Sequence, residues 1–373
     1  MKKKICHIST VHSENDNRIF YKQCRSISKA GYDVSLIISS DRRKTVDGVN
    51  IVPLAKGNGR IDRLLHNRNE AYKKALEVDA DLYHFHDPEL IPIGSKLVKR
   101  GKKVIYDVHE DVPKQILSKS YLGPNWFRSL ISIIFNKYEK SRCKNFSAVV
   151  TILDELKDEF EKCNKNVISV KNYAIKDMID KSSPIEEKSN RDEFIIIYIG
   201  AITKIRGIKE MIRSTEVFNG KVKLWLIGSW ESEELRKECE ILDGYKNTKY
   251  FGQMEARDLY KYVKAADVGM SVLHPTPNYK QSIPTKVIEY MACEIPIILS
   301  DFQYWTELFG DVGTYVDPLD INRISRAIED FINNRDEAKH IGHKNRERFM
   351  KHFCWDTEEE KLLELYEKIL SNE

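Results

Sequence analysis

The chain has 373 residues, of which 41% are hydrophobic and 32% charged, and its formal net charge is +4. That length favours two domains over a single core, and so small a charge gives no reason to expect a nucleic-acid partner. No run of about eighteen apolar residues is present, which argues against a spanning helix. The seven cysteines show neither a C-x-x-C pair nor zinc spacing, so we expect free thiols and a cytoplasmic protein.

The first half alternates short apolar runs with helical patterns. A strand at 4–10, a helix at 18–30 closed by Gly31 and a strand at 33–39 predict a βαβ unit of a parallel sheet. Further strands are predicted at 50–53, 82–86, 103–108, 148–152 and 167–170, and helices at 60–77, 92–100, 126–144 and 154–162. We therefore predict a doubly wound α/β domain over residues 1–175.

The alternation restarts after a polar connector at 181–192. Strands are predicted at 194–199, 222–227, 248–251, 268–273 and 297–299, and helices at 207–218, 232–242, 256–265, 319–333 and 355–370, besides one that starts at Pro284. This predicts a second doubly wound domain over 176–354, with the helix in 355–373 returning to the first domain. Ligands of such folds lie at the carboxyl ends of strands, and we expect them in the cleft between the domains.

The helix that starts at Pro284 carries residues suited to a sugar nucleotide. Proline fits the first helical turn. Its apolar stripe is Val287, Ile288, Met291 and Ala292. A helix N-terminus beside Lys286 suits a phosphate, and Glu289, one turn later, would accept hydrogen bonds from sugar hydroxyls. The alternative is an ordinary surface pair of Lys286 and Glu289.

Three predicted strands of the second half end in glycine. Gly200 leads through Lys204 and Arg206 into a helix, an arrangement suited to a diphosphate. The alternative is a solvated basic loop. Gly228 and Gly252 end the next two strands, where the backbone would pair with a planar base or simply form a turn.

The order of these motifs resembles the GT-B glycosyltransferases of family 4. It runs Y-x-G, K/R-G, L-x-G, F-G-Q, A-D-V and S-x-P-x-K-x-x-E-Y-M-A, and D-x-R, H-x-H-D and Y-D-V-H-E in the first half agree. The resemblance covers nearly the whole chain. It implies two Rossmann-like domains facing an interdomain cleft, and a retaining hexosyltransferase that uses a nucleotide diphosphate sugar. It implies no metal and no cofactor, with UDP or GDP as the carrier and a glycan or lipid-linked acceptor.

The residues and the resemblance together predict a donor site. Its members are Gly200, Lys204, Arg206, Gly228, Met254, Ile283, Pro284, Thr285, Lys286 and Glu289. The resemblance places Arg206 on the donor phosphates, Glu289 on the ribose and Met254 at the base. Two positions depart from the family pattern: Gln281 replaces an acid, and Ala201 replaces an arginine. These departures keep two alternatives open, a nucleotide-sugar epimerase of the same fold and a catalytically silent binding partner.

His109, which the resemblance places against the transferred sugar, directly follows the strand at 103–108. A neutral imidazole there would bond a sugar hydroxyl, oriented by Asp107 or Glu110; the alternative is a structural histidine. Since no carboxylate is an assured nucleophile, we favour front-face departure of the leaving group. Arg206, Lys286 and the helix dipole would stabilise the leaving phosphate, whose oxygen would act as the base.

The acceptor side is predicted at Asp16, Arg18, His86, Asp87 and Glu110. His84 and His86 alternate along a strand, so both rings should lie on one face of the sheet. A metal site at these residues is the alternative, although no third clear ligand accompanies them. Asp16 and Arg18 would otherwise form a structural cap and ion pair.

The helix predicted at 126–144 combines apolar and basic residues. It contains Trp126, Phe127, Leu130, Ile131, Ile133, Ile134 and Phe135 with Arg128, Lys137, Lys140, Arg142 and Lys144. Such a helix suits an anionic membrane surface, here the inner leaflet. The alternative is a helix whose apolar side is buried by the protein.

Overall fold

The computed structural model describes residues 2–55, 59, 66–185 and 193–371. The chain forms two compact units, one of Met1–Asn172 with Trp355–Glu373 and one of Tyr173–Cys354. Each unit contains its own sheet and its own buried apolar clusters. The α/β fold class with two Rossmann-like sheets, predicted from the alternation, is confirmed.

The first unit is built on an eight-stranded sheet in the order β3-β4-β2-β1-β5-β6-β7-β8. The strands are β1 (Lys4–Ser13), β2 (Asp33–Ser39), β3 (Lys44–Val46), β4 (Val49–Leu54), β5 (Leu82–Phe85), β6 (Lys103–Val108), β7 (Ala148–Thr151) and β8 (Val167–Ser169). The pair β3–β4 is antiparallel and the other neighbours are parallel. The unpredicted hairpin turns at Asp47-Gly48, both with positive φ, as an Asp-Gly turn favours.

In the described residues before 172, six α-helices accompany this sheet. They are α1 (Arg25–Lys29), α2 (Arg68–Val78), α3 (Ile91–Lys99), α4 (Val112–Ser118), α5 (Asn125–Cys143) and α6 (Asp154–Glu161). A π-helical segment, Asn17–Cys24, precedes α1, so the helix predicted at 18–30 is present but wound differently at its start. Residues 60–65 of the helix predicted at 60–77 lie outside the described residues. Helix α4 was not predicted.

The second unit contains a six-stranded parallel sheet in the order β11-β10-β9-β12-β13-β14. Its strands are β9 (Phe194–Ile199), β10 (Val222–Ile227), β11 (Thr248–Tyr250), β12 (Val268–Ser271), β13 (Ile297–Ser300) and β14 (Gly313–Val316). Central strand β9 is buried along its whole length, as a parallel strand covered on both faces should be. Edge strand β14 was not predicted.

Nine α-helices belong to the part of this unit that the structure describes. They are α7 (Lys176–Asp180), α8 (Ile208–Ser214), α9 (Glu233–Glu240), α10 (Ala256–Ala265), α11 (Pro277–Gln281), α12 (Thr285–Ala292), α13 (Gln303–Phe309), α14 (Ile321–Asn333) and α15 (Arg335–His352). Pro284 precedes α12 as its N-cap and does not lie in the first turn. Residues 182–185 of the predicted connector form neither helix nor strand, and 186–192 lie outside the described residues.

The last helix, α16 (Trp355–Ser371), belongs to the first unit, as predicted. The indole Nε1 of Trp355 donates to Ser26 Oγ at 2.9 Å, and Glu358 Oε2 accepts from the backbone N–H of Lys171 at 2.7 Å. Tyr366 on the same helix is completely buried. Within the described ranges, no helix combines the length and apolarity needed to cross a bilayer.

Candidate functional site

Helix α12 is fixed against the carboxyl ends of two strands by one tyrosine. The hydroxyl of Tyr290 accepts from the N–H of Ile199 at 3.1 Å and lies 3.2 Å from the carbonyl oxygens of Ile197 and Met270. Its ring lies against Gly269, where a Cβ would come within 2.4 Å of the ring. The position of α12 relative to β9 and β12 is therefore well defined.

The N-terminus of α12 is open to an anion. Among the described residues no side chain caps it; the N–H of Val287 bonds to the carbonyl of Pro284 at 3.0 Å, which leaves the N–H groups of Thr285 and Lys286 at the start of the helix. The segment that leads into α12 is fixed by a tryptophan, because Trp305 Nε1 donates to the carbonyl of Ser282 at 2.8 Å. Such a terminus attracts phosphate through its N–H groups and its dipole.

Two cations converge beside Gly200, at the end of β9. A Cβ on Gly200 would lie 3.5 Å from Arg206 Nη1 and 3.9 Å from Lys286 Nζ. Arg206 donates from Nη1 to the carbonyl of Ala201 and from Nε to the hydroxyl of Tyr279, both at 3.3 Å. The neighbouring strand end is much tighter, because a Cβ on Gly228 would lie 1.9 Å from the carbonyl oxygen of Gly200. Only glycine fits at Gly228.

Lys286 is buried, which excludes the alternative of a solvated surface pair with Glu289. Its Nζ donates to the hydroxyl of Tyr198 at 2.9 Å and lies 4.0 Å from the centroid of that ring. Burial, and then the charge of Arg206, hold the pKa of Lys286 well below 10.5, against the opposing effect of Glu289. A buried ammonium beside a guanidinium is unfavourable without a compensating anion. The site is short of negative charge.

The remaining donor residues occupy varied positions. Glu289 is partly buried, and its Oε1 accepts from the hydroxyl of Tyr260 at 3.1 Å. Met254 and Ile283 pack at the edge of the apolar core. Lys204, Thr285 and Gln281 are exposed. Tyr198, Tyr260 and Tyr279 were not predicted as site residues; Tyr198 belongs to the Y-x-G motif, but its place in an apolar strand indicated only a core residue.

In the first unit, Asp107 organises a buried polar cluster at the end of β6. Arg18 binds it with two hydrogen bonds, Nε to Oδ2 at 3.1 Å and Nη2 to Oδ1 at 2.9 Å, and Gln23 Nε2 donates to Oδ2 at 2.7 Å. Although burial acts to raise it, Arg18 and then His109 hold the pKa of Asp107 well below 3.8. Asp107 therefore stays an anion inside the protein.

Three buried histidines and one tyrosine surround this anion. His7 and Tyr366 join the predicted His84 and His86, whose rings stack with centroids 4.8 Å apart on one face of the sheet. Burial lowers the pKa of His86 to about 3 and the pKa values of His7 and His84 well below 6.5. These imidazoles are neutral at ordinary pH. His109 lies at the edge of the cluster with its side chain 17% exposed.

Three of the five predicted acceptor-side residues are buried and bind protein groups. These are Arg18, His86 and Asp87. Asp87 Oδ2 accepts from the N–H of Thr10 at 2.6 Å and from Ser9 Oγ at 2.9 Å, which fixes the second half of β1. Asp16 caps the π-helical segment, the structural alternative for that residue. Glu110 is exposed and contacts Gln115.

His84, His86 and Asp107 have potential ligand atoms within 4.8 Å of one another. A metal ion would fit poorly there, because Asp107 already holds the Arg18 guanidinium and both ring nitrogens of His86 face other imidazoles. The arrangement fits a hydrogen-bonded network better than a metal centre.

Helix α5 presents much of its apolar surface outward. Trp126 is 69% exposed, Ile133 54% and Ile134 58%, while Ser132, Glu139 and Cys143 are buried. Exposed Leu117 and Tyr121 lie on the preceding segment. The alternative in which the protein buries this apolar side is therefore wrong within the described chain.

The chain matches two family models, "Glycosyl transferases group 1" over residues 162–348 and "Glycosyltransferase Family 4" over 17–170. It is 28% identical over 197 residues to the capsular polysaccharide biosynthesis glycosyltransferase CapM of Staphylococcus aureus, covering 51% of this chain and 50% of CapM. It is 24% identical over 247 residues to the O-antigen chain mannosyltransferase RfbU of Salmonella typhimurium, covering 62% of this chain and 66% of RfbU. The chain thus spans about half the length of CapM and somewhat more of RfbU.

Two solved structures share the fold. Sucrose-phosphate synthase from Thermosynechococcus elongatus has a TM-score of 0.75 and 18% identity, with all of both chains covered. Anabaena Alr3699/HepE in complex with UDP-glucose has a TM-score of 0.70 and 14% identity, covering 98% of this chain and 99% of that one.

Proposed function

Because the chain belongs to the group 1 glycosyl transferases, we propose that it transfers a sugar, with retention, from a nucleotide diphosphate sugar to a glycan or lipid-linked acceptor. The pathway would be the synthesis of a cell-surface polysaccharide, since the names of CapM and RfbU refer to a capsular polysaccharide and to the O-antigen chain. The observation that carries the proposal is the pair of cations, Arg206 and Lys286, beside Gly200 at the open end of α12.

In this proposal the diphosphate occupies the space between Arg206, Lys286 and the first turn of α12. Negative charge grows on the leaving phosphate as the glycosidic bond breaks, and fixed donors in a partly dry site stabilise it more than water does. Asp107 is unsuited to be a nucleophile, because it is buried and bound to Arg18. The leaving phosphate oxygen therefore takes the proton of the acceptor hydroxyl, which attacks from the same face.

The other donor residues have supporting roles. Glu289, oriented by Tyr260, accepts hydrogen bonds from the ribose hydroxyls, and the backbone near Met254 meets the base. His109 faces the transferred sugar. UDP and GDP are the expected carriers; the UDP-glucose bound to HepE supports a nucleotide sugar as the donor. No cofactor is needed for this chemistry.

Thermal unfolding with UDP-, GDP- and ADP-sugars tests the donor site. A ligand at a hundred times its Kd stabilises the folded state by about 2.7 kcal/mol, so at least one nucleotide sugar should raise the Tm clearly. Glu289→Ala should weaken that sugar about tenfold or more, because hydrogen bonds to charged groups contribute about 1.5–3 kcal/mol. Glu307→Ala, an exposed glutamate of the same unit, is the control and should bind normally. If no nucleotide sugar shifts the wild type, the donor-site proposal is wrong.

Two alternatives differ in their products. An epimerase of this fold would release free nucleotide without an acceptor. A silent binding partner, suggested by Gln281 and Ala201, would bind the donor and turn nothing over. Product analysis with and without an acceptor glycan therefore separates all three.

We also propose that α5, with the segment before it, lies on an anionic inner-leaflet membrane from the cytoplasm. Its exposed Trp126, Ile133 and Ile134 would enter the headgroup region while basic neighbours meet the lipid charge. Vesicles with anionic lipid should co-sediment the protein at low salt, and neutral vesicles much less. Ile133→Glu with Ile134→Glu should abolish binding, whereas Ile241→Glu, at an 84% exposed position of the other unit, should not. Absence of binding to anionic vesicles at low salt would refute the proposal.

A further inference from the structure

Five side chains of the first unit form one line of hydrogen bonds that ends at His109. The hydroxyl of Tyr366 lies 2.5 Å from His84 Nδ1 and 3.1 Å from His7 Nε2. His7 Nδ1 lies 2.9 Å from His86 Nε2, and His86 Nδ1 lies 3.2 Å from His109 Nε2. The first four groups are buried, so water does not replace a missing partner inside the line.

Counting protons limits the possible arrangements. Each of the five neutral groups carries one exchangeable proton, and each of the four contacts needs one. The fifth proton sits at one end, on His84 Nε2 or on His109 Nδ1, or else on a Tyr366 hydroxyl that accepts from both His84 and His7. That last arrangement leaves the buried hydroxyl proton without an acceptor among the described residues and again places the His109 proton on Nε2. A mixed arrangement would place two lone pairs or two protons in one buried contact, which costs about as much as an unsatisfied buried polar group.

Asp107 distinguishes the two ends. Its Oδ2 lies 3.3 Å from both His86 Nδ1 and His109 Nε2. In either arrangement one of these nitrogens carries a proton and the other a lone pair, so their effects largely cancel.

At the other end of the line, the effect of Asp107 on His84 Nε2 is not cancelled by a second nitrogen. His84 Nε2 makes no hydrogen bond and lies 3.8 Å from the same oxygen, where a proton is attracted by the anion and a lone pair is repelled. The other charged group at the cluster, Arg18, directs its donors to Asp107 and to the carbonyl of Val170, and so offers none to the line.

We propose that this line, turning at Tyr366, keeps the His109 proton on Nε2 and presents the bare Nδ1 as a hydrogen-bond acceptor for a ligand hydroxyl. In the described chain Nδ1 has no protein partner, so it is available to a ligand. What His109 meets there rests on the proposed function, but the placement of the protons does not. Tyr366 is thus a positioning residue that acts on His109 through two histidines, His7 and His86.

Nitrogen-15 NMR of the full-length protein, labelled at its ten histidines, reads the protons directly. At about pH 8.5, above the ordinary histidine pKa of ~6.5, His109 should show a protonated Nε2 and an unprotonated Nδ1. Its signals are assigned by their loss in His109→Asn. A protonated Nδ1 in the wild type overturns the proposal without any variant, so the test survives even if Tyr366→Phe fails to fold.

Tyr366→Phe breaks the line at its turning point and leaves His109 to exchange between both tautomers, because the effects of Asp107 on His86 and His109 cancel. We expect averaged His109 signals and a kcat about three- to tenfold lower, as the weakening of one hydrogen bond to the sugar would give, with the donor KM unchanged. Tyr83→Phe is the matched control, since that buried hydroxyl bonds only to Ala80 and Ala75 of the backbone. It should leave the His109 signals as they are.

The two proposals fail in different measurements. If no donor and acceptor pair gives transfer, the proposed function fails while the spectra still decide the placement of the protons. If the Tyr366→Phe spectrum keeps His109 unchanged, the positioning role is refuted even in an active enzyme.

Discussion

Lys286→Met is expected to lower sugar transfer by about 10²–10³-fold while making the ligand-free protein more stable. The loss of rate is that of one fixed donor to a developing oxyanion. The gain in stability arises because methionine keeps the apolar contact with the Tyr198 ring and removes an amine whose charged form is disfavoured by burial and by Arg206. Replacing a buried ion by an apolar side chain of similar volume is often stabilising, here by about 1 kcal/mol or more.

Two quantities are measured for the wild type and for Lys286→Met: the initial rate of sugar transfer, and the Tm in the absence of ligand. Lys280→Met, an exposed lysine at the end of α11, is the control and should change neither quantity much. A Lys286→Met protein that transfers sugar at the wild-type rate would remove Lys286 from the site. One that loses both rate and stability would show that the ammonium has a structural role instead.

Acidification from pH 7 to pH 5 is expected to destabilise the first unit by about 3–4 kcal/mol. The pKa values of buried His7, His84 and His86 are depressed by burial, so the unfolded chain takes up protons on them as the pH falls through about 6.5, whereas the folded unit does not. Each such histidine costs about 2 kcal/mol at pH 5. For His86 the loss continues to about pH 3, its folded pKa. Asp107, with a depressed pKa, adds its own loss only below about pH 4.

Other groups of the unit act in the opposite direction. Burial raises the pKa of Glu139 on α5 to about 7. Between pH 7 and pH 5 the folded state therefore binds a proton on Glu139, whereas the unfolded state does not. This proton uptake offsets about 2 kcal/mol of the loss in stability by pH 5. The pKa values of His12 and Glu359 are also raised, the first by Asp87 against the effect of burial and the second by burial itself. Like Glu139, both groups offset part of the loss of stability on acidification.

Glu139→Gln separates these contributions. Glutamine still accepts the hydrogen bond that Tyr106 donates to Glu139 at 2.9 Å, but it binds no proton. The loss between pH 7 and pH 5 should therefore increase to about 5–6 kcal/mol. Calorimetry at several pH values, with limited proteolysis to assign each transition to its unit, measures both proteins. A first unit whose stability is flat or rises on acidification would contradict the expectation.

The local pattern of the sequence predicts twelve of the fourteen strands that the structure describes, all but β3 and β14, because parallel strands buried on both faces are short apolar runs between helical patterns. It also predicts that Gly200, Arg206 and Lys286 come together, since strand ends of one parallel sheet share one edge. Short elements such as the hairpin strand β3 and helix α11 were missed. Their residues carry too little apolar periodicity to stand out.

The parts of the site that were missed depend on distant contacts. Tyr366 meets His7 across 359 positions of sequence, and nothing near Tyr366 distinguishes it from any other apolar residue of an amphipathic helix. The burial of Lys286 was unexpected because the surface that receives it is the ring of Tyr198, 88 positions earlier. The side chains that orient a site come from whichever elements the fold brings near, which local spacing does not reveal.

The place of α16 in the first unit has a consequence for biosynthesis. A ribosome makes residues 1–172 first, then the whole of the second unit, and only then the helix that supplies Trp355 and Tyr366 to the first. Domains generally fold as units during synthesis, N-terminal ones first, but here the second unit is complete before the first. A chain released after residue 354 should therefore contain a folded second unit and an incomplete first one, because His7 and His84 lack the Tyr366 hydroxyl that bonds to both of them.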